Sequence, residues 1–143
     1  MKEFWNGLML LRKQYAHRIE PLCHSWGITR AELDVLLFLT HAPEMNRATD
    51  IVELKGLTKS HVSIAVKALC ERGYLVLTQD SADRRVGRLE VTDAAKALIE
   101  AGDALQKAYF AELFGCLTPQ ELEQFKAVQR KLMARMHEMS NGE

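Results

Sequence analysis

No apolar run in this 143-residue chain approaches the ~20 residues that a membrane-spanning helix needs, because charge or glycine interrupts each one first. Cysteine is scarce and scattered. Cys23, Cys70 and Cys116 form no C-x-x-C pair, which excludes a zinc finger and a thioredoxin-like motif and leaves thiols acting as small apolar side chains. A Gly-rich phosphate loop, a G-x-S-x-G elbow and a distinctive carboxylate pair are all missing, so no enzyme class is indicated. Net charge is missing too: 19 basic residues balance 19 acidic ones, which argues against a surface that grips nucleic acid by bulk charge. Met1-Lys2-Glu3 opens a periodic segment with no small-residue cleavage site, so a cytoplasmic location is expected.

What remains is an ordinary globular composition, 48% apolar and 27% charged, in a length that suits a single domain over residues 1–143. Phe4, Leu8, Leu11, Tyr15, Ile19, Leu22 and Trp26 recur at steps of three and four and predict a long amphipathic helix. Pro21 should kink or interrupt it, and Gly27 should stop it. Thr29-Arg30-Ala31-Glu32 reads as a capping box, with Thr29 as N-cap and Glu32 reaching back. The helix it opens is densely apolar (Leu33, Leu36, Leu37, Phe38, Leu39), hence central, and ends at Pro43. A short helix from about Arg47 to Leu54, closed by Gly56, precedes a second one opening at Thr58, with the spacing of a helix-turn-helix.

The stretch from Leu57 to Thr92 carries the functional signal. The helix from Thr58 to Arg72 places Val62, Ala65, Val66 and Leu69 on one face, and Lys59, Ser60, Ser63, Ile64 and Lys67 mostly on the other. Small hydroxyls interleaved with lysine and a lone isoleucine suit phosphates, base edges and thymine methyls better than they suit a plain solvated face. A hairpin follows, with Leu75, Val76 and Leu77 assigned to one side and Leu89 and Val91 to the other, and the loop Asp80-Ser81-Ala82-Asp83-Arg84-Arg85 between its strands. From Thr58 to Arg88 six basic residues (Lys59, Lys67, Arg72, Arg84, Arg85, Arg88) face three acidic ones (Glu71, Asp80, Asp83), a local excess of three. A helix followed by a basic hairpin is how a winged helix-turn-helix grips duplex DNA.

Beyond the hairpin, Thr92 and Asp93 cap a helix marked by Ala94, Ala97, Leu98, Leu105, Tyr109 and Leu113. Thr118-Pro119-Gln120-Glu121 caps another, carrying Leu122, Phe125, Val128, Leu132, Met136 and Met139. A small winged helix cannot cover all these long apolar stripes, so a second copy of the chain is the expected partner. The fold class is therefore mainly α with a small β-hairpin: a winged helix-turn-helix lobe over 29–92 and a helical dimerisation region over 1–27 and 93–143.

In this order of parts the chain resembles the MarR family of bacterial transcriptional regulators. The likeness runs through Glu20-Pro21-Leu22-Cys23-His24-Ser25-Trp26-Gly27-Ile28-Thr29, the buried helix Glu32 to Leu39, Gly56-Leu57-Thr58-Lys59-Ser60-His61-Val62-Ser63, Leu69 to Leu75, and the wing Asp80 to Arg85 leading into Leu89-Glu90-Val91-Thr92. The resemblance implies a homodimer, a repressor in sense, that binds a palindromic operator in double-stranded DNA. It puts Thr58, Lys59, Ser60, His61, Ser63, Ile64 and Lys67 in the major groove, and Arg84 and Arg85 at the minor groove, with Asp83 orienting the neighbouring arginine. Two departures stand out. Thr78-Gln79 replaces a frequent basic residue after the first wing strand, implying fewer phosphate contacts, and Ala94-Ala95 replaces a usual glycine, a harmless change in a helix. A winged helix used as a protein-docking module, its basic wing meeting an acidic partner, is the alternative from another class.

The resemblance also implies a small aromatic or phenolic effector, with Trp26, Leu33, Leu37 and His41 as candidate pocket residues. Glu20, Cys23, His24 and His41 are metal-ligand types that could approach where the first two helices meet, but relatives that sense zinc complete their site with histidines after the wing, and Asp93 to Phe114 has none. No metal and no cofactor is expected. His17 and His24 near Cys23 would lower its thiol pKa, and so raise its reactivity, if they faced it.

Overall fold

The computed structural model describes residues 1–142. Six helices and one hairpin follow one another as α1 (Lys2–Trp26), α2 (Arg30–His41), α3 (Ala48–Lys55), α4 (Lys59–Glu71), β1 (Leu75–Gln79), β2 (Gly87–Val91), α5 (Lys96–Phe114) and α6 (Pro119–Asn141), with one 3₁₀ turn at Asp93–Ala95. Two compact units divide within α5, one over Met1–Gln106 and one from Lys107 onward.

The first unit is built around α2. Leu33, Val35, Leu36, Leu37, Phe38 and Leu39 are all buried, so the helix shows apolar surface on nearly every side and packs against α1, α4 and β2. A helix this short is marginal alone, whereas each buried Leu or Phe contributes about 1.5–3 kcal/mol, so packing decides its stability. Around it lie Ile19 and Cys23 of α1, Ile51 of α3, Val62, Ala65 and Leu69 of α4, Leu75 and Leu89 of the hairpin, and Leu98 and Ile99 of α5.

The helix ends follow the sequence signals with two exceptions. Gly27 takes the left-handed conformation (φ 62°) that closes α1, and Gly56 (φ 63°) closes α3. Thr29 accepts the Glu32 amide at 3.1 Å, but only that half of the expected capping box forms. Glu32 is itself buried. Pro21 does not interrupt α1, which runs through it without a break. Proline there forfeits one bond to the His17 carbonyl, and both residues lie on the exposed side, where water replaces the lost donor.

The hairpin is antiparallel, with Leu75 opposite Val91 and Leu77 opposite Leu89. Directly paired residues share a face, so Leu75, Leu77, Leu89 and Val91 lie together and Val76 points the other way, correcting the sidedness read from sequence. Tyr74 is not the first strand residue: its amide donates to the Leu69 carbonyl, closing α4 before the strand can start. The segment after Thr92 likewise makes a 3₁₀ turn before α5 opens at Lys96.

In the second unit Tyr109, Phe110 and Phe114 form a run of ring contacts that ends on Phe125 of α6. Here the capping box is complete: Thr118 and Glu121 exchange both bonds, and the Thr118 amide holds the Glu121 carboxyl below its usual range. Phe125, Val128, Leu132, Met136 and Met139 recur at helical spacing along α6 and are exposed in the single chain, as are Phe4, Trp5, Leu8 and Met9 on α1. No helix among the described residues is long and apolar enough to cross a membrane.

Candidate nucleic-acid interface

The reading surface begins at a turn. Gly56 ends α3, and the Thr58 hydroxyl then accepts the His61 amide at 3.2 Å, fixing the first turn of α4. Val62, Ala65 and Leu69 anchor α4 to the core, which turns the opposite side outward. Lys59, Ser60, His61, Ser63, Ile64 and Lys67 are all exposed, as their spacing predicts. Ile64 is 67% exposed on a helix that has ample buried positions, so core packing does not account for it.

The wing loop, residues 80–86, is organised by two carboxylates. Asp83 Oδ1 accepts the Arg85 amide at 3.0 Å and lies 3.6 Å from the Arg85 Nε. Its partner is therefore Arg85, not Arg84, which lies next to it in sequence. The Arg85 side chain is 94% exposed, and Arg84 has no partner among the described residues. Both guanidinium groups thus face solvent at the tip, one steered and one free. Between this wing, α3 and α4 runs a groove of about 970 Å³, with Arg47, Lys59, Lys67 and Arg85 along it and Val62, Val66 and Leu77 among its apolar residues.

Two of the arginines counted in the local charge excess are committed elsewhere. Arg72 donates to the carbonyls of Trp26 and Gly27 and stacks over Tyr74, so it caps the end of α1. Arg88 is bonded to Asp80 and Asn46. The cations left for an outside partner are Lys59, Lys67, Arg84 and Arg85. A count of charges along the sequence does not separate these roles, since tertiary contacts with Trp26, Gly27 and Asn46 distinguish them.

The remaining candidates divide. Leu33 and Leu37 are core residues, lying where a Cβ on Gly102 would come within 3.3–3.5 Å of their methyls. His41, on the same stripe of α2, is exposed and its Nε2 lies 2.8 Å from Asp103 Oδ1. Trp26 is half-buried at the other end of the lobe's first connection, its carbonyl held by Arg72. An open cleft of about 730 Å³ lies beside His41's partner, with Thr40, Pro43, Asn46, Lys96 and Asp103 around it. Glu20, Cys23 and His24 share a separate cleft with Arg30, and His41 is not part of it.

Cys23 is buried, in line with a thiol acting as a small apolar side chain. Burial pushes its thiol up, and the nearby Asp34 carboxylate pushes it further, so neighbouring histidines do not activate it. Iodoacetamide at pH 8 should therefore modify Cys23 at least about tenfold more slowly in the folded protein than in urea, followed by peptide mass spectrometry. Equal rates would mean an open, reactive thiol.

A helix-turn-helix with an exposed reading face, followed by a hairpin with arginines at its tip, defines the class: a winged helix-turn-helix, the architecture of DNA-binding transcription regulators. The model of the MarR family matches residues 26–86, from the end of α1 to the end of the wing loop. The transcriptional regulator PrsX of Escherichia coli is 25% identical over 130 residues, 90% of this chain and 78% of PrsX. Among solved structures, Bordetella bronchiseptica BpsR, whose DNA binding is regulated by 6-hydroxynicotinic acid, superposes with a TM-score of 0.71 at 21% identity, covering 92% of this chain and 98% of BpsR. MepR of S. aureus, in complex with DNA, gives 0.75 at 20% identity, covering 92% and 97%. The last two share the fold.

Proposed function

We propose that the chain is a cytoplasmic, homodimeric repressor that binds a palindromic operator in double-stranded DNA and releases it in response to a small aromatic or phenolic molecule. The observation that carries the reading is the outward face of α4, where Lys59, Ser60, His61, Ser63, Ile64 and Lys67 stand exposed, in one lobe with the arginine-tipped wing. That lobe, 29–92, is assigned to DNA, with Ile64 suited to thymine methyls and Arg84 and Arg85 to the minor groove. Residues 1–27 and 93–143 are assigned to dimerisation, supported by the uncovered stripes of α1 and α6.

Two copies related by a twofold axis present two reading helices about 34 Å apart, which matches successive major grooves on one side of a duplex. An effector acts only if it prefers one separation of the heads over another. BpsR, whose DNA binding responds to 6-hydroxynicotinic acid, supports a small-molecule effector for this chain. Trp26, Leu33, Leu37 and His41 are the proposed elements that such a ligand would engage. The test is stoichiometry. Light scattering should give a dimer in solution, and titration of an operator duplex should saturate at two chains per site. Saturation at one chain would overturn the dimeric reading, and no sequence preference would favour the docking module instead.

A further inference from the structure

Each guanidinium nitrogen of Arg88 has a partner. Its Nε and Nη2 donate to Asp80 Oδ2 at 2.8 and 2.6 Å, and its Nη1 donates to Asn46 Oδ1 at 3.0 Å. The other Asp80 oxygen accepts the Ala82 amide at 2.8 Å, so one carboxylate holds the wing loop and the wing strand together. Asn46 is bonded twice, because its backbone carbonyl also accepts the Leu89 amide at 2.8 Å. The Arg88 and Asp80 side chains are 34% and 18% exposed, against 94% for Arg85 at the tip.

A two-stranded hairpin is marginal by itself, and each residue of a loose loop loses about 1–2 kcal/mol of freedom on ordering. Something must hold residues 80–86 before DNA arrives if the tip is to be preorganised. The bonds from Asn46 reach the wing from the α2–α3 connection, so they tie it to the segment that leads into the helix-turn-helix. The Asp80 carboxyl is held below its usual range by the Ala82 amide first and by Arg88 second, so the anchor stays ionised across the neutral range.

We infer that Asp80, Arg88 and Asn46 form a positioning network that presents the wing-tip arginines to DNA without touching DNA themselves. The inference rests on the DNA-binding reading and adds residues to it. It predicts an inversion of the electrostatic expectation. Asp80→Asn removes a negative charge from a DNA-facing loop, which should tighten binding if charge alone mattered. The network predicts weaker binding, by about tenfold, since the wing loses its anchor.

The experiment compares wild type, Asp80→Asn, Arg88→Gln, the double variant and Arg88→Lys. Amide exchange of Ala82 and Arg85 is read on the free protein, and operator affinity by fluorescence anisotropy. Exchange in the two single variants should be about tenfold faster than in wild type. The double variant should bind no more weakly than either single one, because both break the same unit. Arg88→Lys keeps the charge but loses the fork, so it should recover part of the affinity. Unchanged exchange, tighter binding by Asp80→Asn, or additive losses in the double variant would overturn the network. If wild type binds no duplex, the proposed function fails, and the exchange result still decides whether these residues order the wing.

Discussion

Replacing Arg84 and Arg85 together with alanine should lower operator affinity by at least about three orders of magnitude, since well-placed base contacts are worth about 1–3 kcal/mol each and a dimer loses four arginines. The fold should be untouched. Neither side chain is buried, and among the described residues their partner is Asp83, within the same loop. The two should not contribute alike. Arg84 is unpartnered and free to choose its contact, whereas Arg85 arrives already bonded to Asp83 and loses less freedom on binding. Asp83→Ala should accordingly weaken binding although it removes a negative charge. Anisotropy titrations at several salt concentrations check this: the slope of log affinity on log salt should shrink by about 0.9 for each arginine that meets a phosphate. An arginine-free wing with unchanged affinity and slope would remove the wing from the interface.

Breaking the dimer should have an effect as large. Val128→Glu with Leu132→Glu puts two carboxylates on the α6 stripe, at side chains that are exposed in the single chain. Helical content should therefore persist, while light scattering should report a monomer. Joining two reading heads in one molecule raises apparent affinity by about 10²–10⁴ through effective concentration, and a monomer forfeits that factor. A variant that stays dimeric, with unaltered DNA binding, would show that α6 is not part of the subunit contact.

Much of this was legible in local chemistry. Thr29 and Thr118 cap the helices they were expected to cap, Gly27 and Gly56 end the helices before them, and the period of α4 separates its buried from its exposed face. These features depend on neighbours within four or five residues, which a sequence displays directly. What escaped depends on where distant segments meet. Pro21 reads as a helix breaker until its lost hydrogen bond is seen to face solvent. Arg72 and Arg88 look like phosphate contacts until Trp26, Gly27, Asp80 and Asn46 claim their donors.

The central claim is that two copies of this lobe read a twofold-symmetric DNA sequence, and selection of bound sites from a random duplex library at fixed salt tests it most directly. The account predicts enrichment of an inverted repeat whose half-sites lie about one helical turn apart, abolished when Arg84 and Arg85 are both alanine. Recovery of no sequence above background, identical for wild type and the arginine-free wing, would contradict it.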